Sequence, residues 1–180
     1  DAVRRCTSEG YECEKIAIEK LKHFVSKEAF NIDGLGKKII ENFWNLELIK
    51  KPQDIFNLDY SKIENLEGWG KLSVSNLRYS INQKKDISLE RLIYSLGIRH
   101  IGQENAKLIA RHLKLSINFF KLSNKKNIEA LLNIDGIGET QIKSIKNFFL
   151  QKTNRDILNE LNKKLSIASV TQLNKEGLLK

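Results

Sequence analysis

The sequence predicts an all-α chain built from four tandem units of helix, hairpin and helix, arranged as two pairs. Three observations carry that expectation. Four apolar, helix-like stretches run into tight glycine turns: Ile32-Asp33-Gly34-Leu35-Gly36, Leu66-Glu67-Gly68-Trp69-Gly70, Arg99-His100-Ile101-Gly102 and Ile134-Asp135-Gly136-Ile137-Gly138. The last glycines of these turns, Gly36, Gly70, Gly102 and Gly138, lie 34, 32 and 36 residues apart, the spacing of a repeat whose unit is one supersecondary element. No stretch alternates apolar and polar residues for long enough to read as a strand.

The elements follow in order. Ile16, Ile18, Leu21, Phe24 and Val25 make a helical stripe from Glu14 onward. Ser26 reads as the cap of a short helix, Lys27 to Phe30, that enters the first hairpin. The helix leaving it is expected from Lys37 to about Leu48, and Lys51-Pro52-Gln53-Asp54 breaks the chain after it. Short helices near Asp54–Phe56 and Tyr60–Asn65 lead to the second hairpin, and Lys71–Gln83 leaves it. Lys84-Lys85-Asp86 reads as a loop, Ser88 as the cap of Leu89–Leu96, and Gln103–Leu113 as the helix leaving the third hairpin. Ser116 and Ser123 read as caps before Ile117–Leu122 and Ile128–Leu132. Glu139–Leu150 leaves the fourth hairpin, and Thr153 caps a last helix reaching about Leu165. From Ser166 the pattern fades into a tail.

At 180 residues, with 41% apolar and 29% charged residues, the chain is long enough to bury a core and too apolar to be disordered. Its net charge of +9 favours a polyanionic partner, although a lysine-rich composition, seen also in the heavy use of Asn and Ile, gives the same balance. No segment approaches the ~20 apolar residues of a membrane span, and Asp1-Ala2-Val3-Arg4-Arg5 is not followed by the apolar core of a secretory signal. Two cysteines and no targeting signal make a cytoplasmic protein the expectation, and the absence of an initial methionine makes the chain look like a piece of a larger one.

The hairpins point to phosphate. The first N–H groups of a helix have no intrahelical partner, and the helix dipole places partial positive charge there. Glycines remove Cβ atoms, so a sugar-phosphate chain can come close. The candidate DNA-binding residues are Gly34, Leu35, Gly36, Lys37 and Lys38 at the first hairpin and Gly68, Gly70, Lys71 and Ser73 at the second. Arg99, His100, Gly102, Gln103 and Asn105 follow at the third, and Gly136, Gly138, Thr140 and Lys143 at the fourth. The residue between each pair of turn positions (Leu35, Trp69, Ile101, Ile137) should point inward and lock two helices together. Phosphate contacts of this kind carry no base sequence. Two turns depart from the pattern: His100 stands where the others have their first glycine, and Glu139 opens the helix after the fourth, where its charge opposes a phosphate.

Two longer runs carry a resemblance. Leu21-Lys22-His23-Phe24-Val25-Ser26-Lys27-Glu28-Ala29-Phe30-Asn31-Ile32-Asp33-Gly34-Leu35-Gly36 resembles the segment that joins the zinc finger to the helix-hairpin-helix domain in bacterial NAD-dependent DNA ligases. Leu92-Ile93-Tyr94-Ser95-Leu96-Gly97-Ile98-Arg99-His100-Ile101-Gly102 resembles that family's third hairpin, and Asn76-Leu77, Phe148-Phe149 and Asn154-Arg155 fit as well. The resemblance spans roughly residues 4 to 165 and implies a domain that grips the backbone of nicked duplex DNA across the minor groove, in an enzyme of DNA repair and replication. It implies NAD, Mg and structural Zn for the parent enzyme and no cofactor bound by this chain. It divides the chain into a zinc-finger remnant and connecting helix over 1–25, the helix-hairpin-helix domain over 26–165, with hairpins near 32–38, 66–73, 97–105 and 134–143, and a linker over 166–180 towards a BRCT-type domain.

The departures are specific. The family's second hairpin continues Gly-x-Lys-Ser, whereas Gly70 here is followed by Lys71-Leu72-Ser73, so the lysine sits one place earlier, about a hundred degrees around the helix. Cys6 and Cys13 match the second half of a Cys₄ zinc site, with one residue extra between them, and are expected to be empty in this chain alone. His23 lies on an apolar helix face and reads as a packed histidine. The family's Lys-x-Asp-Gly adenylation motif has only two look-alikes, Asn31-Ile32-Asp33-Gly34 and Asn133-Ile134-Asp135-Gly136, both without the lysine. The chain is therefore expected to be a catalytically inert, monomeric DNA-binding piece. Two rivals stay open: a helical-repeat scaffold for proteins, and the paired-hairpin module of a nuclease or recombination protein.

Overall fold

A computed structural model describes residues 10–170. Its helices are α1 (Glu14–Val25), α2 (Lys37–Asn45), α3 (Tyr60–Glu64), α4 (Lys71–Gln83), α5 (Leu89–Ser95), α6 (Gln103–Leu113), α7 (Ser116–Phe120), α8 (Lys125–Glu129), α9 (Glu139–Leu150) and α10 (Lys152–Lys164). Short 3-10 turns occupy Pro52–Asn57, Lys121–Ser123 and Ala130–Asn133, and two three-residue strands, β1 (Asp86–Ser88) and β2 (Ser166–Ala168), complete the described chain. The fold is mostly helical, as the patterning predicts.

The amphipathic stripes bury as expected: Ala17, Leu21, Phe24 and Val25 of α1, Val74, Leu77 and Ile81 of α4, and Ile142, Ile145, Phe148 and Phe149 of α9. They belong to one continuous core. Phe24 stacks on Phe30 with centroids 4.3 Å apart and meets Phe56 edge-on, which centres the first half of the molecule. Phe119, Phe148 and Phe149 do the same for the second half. Between them α1 packs on α5, where the His23 ring tilts against Tyr94 at 4.6 Å and its Nε2 lies 2.7 Å from the Tyr94 carbonyl oxygen. His23 is thus a packed histidine.

Several local expectations are corrected. Lys27–Phe30 is a turn, not a helix: Ser26 Oγ donates back to the His23 carbonyl, and Arg91 donates to the Lys27 and Ala29 carbonyls, so those groups never enter a helical ladder. α2 stops at Asn45 rather than near Leu48, because Glu47 turns left-handed at φ 60° and the Leu48 and Ile49 amides reach back to Phe43. α7 is capped from Leu115, α8 by Asn124 rather than Ser123, and α10 begins at Lys152, ahead of Thr153. Asn154 and Arg155, at the start of α10, donate to the carbonyls of Phe148, Phe149 and Leu150 and so close the end of α9.

The end of the expected loop, Asp86, with Ile87 and Ser88, and the start of the expected tail form a parallel strand pair, with Ile87 opposite Ile167. Ser166 N–H donates to the Lys85 carbonyl at 2.8 Å, and Val170 N–H to the Lys114 carbonyl at 3.0 Å, so the chain after α10 is tied back to the junction between the halves. The segment 171–180, including Gly177-Leu178-Leu179-Lys180, and residues 1–9 with Cys6, lie outside the described residues.

Candidate nucleic-acid interface

The four turns have one backbone geometry. In each, an apolar residue accepts a hydrogen bond from the amide three places on: Ile32 from Leu35, Leu66 from Trp69, Ile98 from Ile101 and Ile134 from Ile137, at 3.0 to 3.4 Å. The third position of each turn is left-handed, with φ of 93° at Gly34, 84° at Gly68, 65° at His100 and 99° at Gly136. This is where a turn requires glycine or a residue that tolerates positive φ. His100 therefore takes up the glycine conformation, and Asn105 Nδ2 donates to its carbonyl at 3.1 Å.

The second glycine of each turn behaves differently. Gly36, Gly70, Gly102 and Gly138 are helix N-caps with φ of −69°, −160°, −86° and −108°, extended backbone that any residue can adopt. A Cβ on Gly36, Gly70 or Gly102 would meet nothing within 4 Å, and one on Gly138 only the Gln141 side chain at 3.3 Å. Neither backbone strain nor internal packing requires a glycine there. Each accepts the first helical hydrogen bond, from Ile40, Val74, Ala106 and Ile142 respectively, and none supplies a side chain to cap the next amides. The outcome is four helix starts with no side-chain cap on their first amides.

Between the two, Leu35, Ile101 and Ile137 are buried at 2%, 5% and 5%, while the larger Trp69 is only half-buried, tilted against Phe43 at 5.7 Å. The turns are thereby locked to their neighbours. A Cβ on Gly34 would lie 3.3 Å from Leu77 of α4, and one on Gly136 3.0 Å from Leu108 of α6, so turn one sits on the helix after turn two, and turn four on the helix after turn three.

The side chains divide into two groups. Lys37, Lys38, Lys71, Arg99, His100, Thr140 and Lys143 are exposed at or beside the turns. Others serve the turn itself: Ser73 Oγ accepts from the Gly70 N–H at 2.9 Å, Gln103 Nε2 donates to Glu28 at 2.8 Å, and Asn105 holds His100. The structure brings Arg99, His100, Thr140 and Lys143 together with Lys20 of α1 around one open cleft of about 490 Å³. Spacing along the chain does not reveal this convergence, and it adds Lys20, Ser144 and Asn147 to the residues facing that site.

Cys13 immediately precedes α1. Cys13 is held in a disulfide, and among the described residues no group of three or more His, Cys, Asp or Glu side chains comes together as a metal site. No helix among them is long and apolar enough to cross a membrane.

Comparison with known proteins gives this geometry a family. The helix-hairpin-helix motif family matches residues 91–158, the stretch that holds turns three and four. A protein named DNA ligase from Pelagibacter ubique is 74% identical over 180 residues, which is all of this chain and 27% of that protein. DNA ligases of Parvibaculum lavamentivorans and Wolbachia pipientis are 43% and 42% identical, over 89% and 97% of this chain and 24% and 27% of their own lengths. The chain thus spans about a quarter of the length of the curated relatives it matches. With its full length aligned to a part of proteins of that name, and with residues 91–158 matching the helix-hairpin-helix motif, the chain corresponds to one segment of a larger DNA ligase.

Proposed function

We propose that this chain is the duplex-gripping part of an NAD-dependent, nick-sealing DNA ligase, and that it binds DNA through phosphate without reading sequence. One observation carries the reading. The second glycine of every turn is free of internal need, and at three of the four a Cβ would point into empty space. A surface kept clear at a helix start is what a phosphodiester requires to reach the backbone amides. The +9 charge supplies the attraction, with Lys37, Lys38, Lys71, Arg99 and Lys143 beside the turns.

On this reading residues 26–165 are the DNA-binding domain. Gly34, Gly68, His100 and Gly136 shape the turns, while the amides after Gly36, Gly70, Gly102 and Gly138 hold phosphate from the minor-groove side. The reaction belongs to the rest of the enzyme, which uses NAD and Mg, and Cys6 and Cys13, once reduced to thiolates, supply half of a zinc site completed there. The protein acts in the bacterial cytoplasm in DNA repair and replication, and this segment works as a monomer.

The test is a titration of the chain against a fluorescent nicked duplex at several salt concentrations, with a sequence-scrambled duplex alongside. Log K should fall with log salt at a slope of roughly −3 to −5, alike for both duplexes, with the shallow end favoured because backbone amides displace fewer ions than lysines. No binding at low salt would overturn the reading in favour of a protein scaffold. Preference for one sequence would count equally against it.

A further inference from the structure

Among the described residues the most exposed large apolar side chain is Leu72, at 76%. A lone exposed leucine is ordinary; the placement of this one is not. It is the second residue of α4, so it stands in the first turn of the helix whose free amides follow Gly70. Val74 and Leu77 on the same helix are buried at 7% and 2%, which fixes the rotation of α4 and holds Leu72 away from the core. A Cβ on Gly68 or Gly70 would meet nothing within 4 Å, so the surface beside Leu72 is open on the side of the turn. Lys71 stands next to it, exposed, and no acid lies in the first turn of α4. The patch is therefore an isobutyl group flanked by a cation and by unpaired amide donors, continuous with the surface assigned above to the duplex.

That combination fits one occupant, the minor-groove wall. There phosphates take cations and amides, while the deoxyribose faces between them are apolar and accept apolar side chains. We infer that Leu72 is a further DNA-contacting residue, which lays its side chain against the sugars while Lys71 and the α4 amides hold the neighbouring phosphates. The inference rests on the proposed duplex binding. It assigns the second hairpin a contact that releases no counterions, beside the ionic one of Lys71.

The test uses the 180-residue chain, Leu72→Ala and Leu72→Lys, each titrated against a fluorescent nicked duplex over a range of salt, with thermal unfolding as the folding control. Because Leu72 is exposed, both variants should melt with the parent. Leu72→Ala should bind about three- to tenfold more weakly at every salt concentration, with an unchanged slope. Leu72→Lys should steepen the slope by about one. A parent that binds while Leu72→Ala matches it at all salts overturns the inference and leaves the function standing. If Leu72→Ala matches the parent on DNA and instead abolishes self-association in sedimentation, the side chain belongs to a protein interface and the inference also falls. A parent that fails to bind any duplex overturns both.

Discussion

Turns one and two lead into α2 and α4, which open with Lys37-Lys38 and Lys71 and have no acid in their first turns. Turns three and four lead into α6 and α9, which carry Glu104 and Glu139 at that place. The turn hydrogen bond and the left-handed third residue are common to all four, and the pairs differ in their electrostatics. A carboxylate in the first helical turn stabilises the free helix against its own dipole, and by the same field it opposes a phosphate. The second pair recovers positive charge in another way, by gathering Arg99, Lys143 and Lys20 around a shared cleft. On the proposed function, one turn geometry serves either as a point-by-point phosphate grip or as one wall of a basic groove.

The sharpest way to break this comparison is to fill the space at the second glycines. Gly36→Val and Gly70→Val should each weaken binding to any duplex by about tenfold or more, the worth of one or two charge-assisted hydrogen bonds. Gly102→Val should cost less, and Gly138→Val, beside Glu139, about two- to threefold. None of the four φ values forbids a side chain, so helical content by circular dichroism should be retained. Equal losses at all four, or the largest at Gly138, would show that the acids do not matter.

A smaller effect separates the first turn positions, and it should appear in stability. Gly34→Ala and Gly136→Ala put a Cβ on a left-handed residue, 3.3 Å from Leu77 and 3.0 Å from Leu108 respectively. Each should lower unfolding free energy by about 1–2 kcal/mol in urea titrations, with Gly136 the worse. His100→Gly relieves the same strain and should raise stability by up to ~1 kcal/mol, while removing a side chain from the cleft. A destabilised His100→Gly would mean that the imidazole packs as well as strains.

The smallest effect is a pH dependence confined to the first half. Lys22 bonds Glu41 at 2.6 Å, joining α1 to α2, and holds the Glu41 carboxyl below its ordinary range. A folded-state pKa below the unfolded one contributes stability above the unfolded value and loses it as pH falls through the folded value. The melting temperature should therefore drop slightly more between pH 5 and 3 in the parent than in Glu41→Gln. Identical profiles would show that this exposed pair contributes nothing, as surface pairs often do.

Where the sequence is punctuated by glycine, the structure was legible residue by residue. α4, α6 and α9 begin and end where the turn spacing and apolar stripes place them, because a left-handed residue followed by an extended N-cap leaves a helix no other starting point. His100 was legible too, as a residue that tolerates positive φ better than a β-branched one would. The expectation of a nucleic-acid partner, raised by the composition and the turns, agrees with the helix-hairpin-helix match. The roles of Gln103, Asn105 and Ser73 were less legible: polar residues after a turn look alike in sequence whether they face a ligand or, as here, hydrogen-bond within the protein.

What the sequence determined by itself is local: helix starts set by φ restrictions and caps, and helix faces set by periodicity. The tertiary structure decided everything that depends on distant partners. Lys27–Phe30 has helix-compatible residues, yet Arg91, more than 60 residues away, takes their carbonyls. Three-residue segments such as β1 and β2 carry too few positions for an alternating pattern and exist only because Lys85 and Ser166 are brought together. In the sequence Leu72 is one of several apolar residues of Lys71–Gln83, and only the burial of Val74 and Leu77 shows that it faces outward. The cleft shared by turns three and four is of the same kind, since chain spacing measures distance along the backbone and a binding surface is made of distances across it.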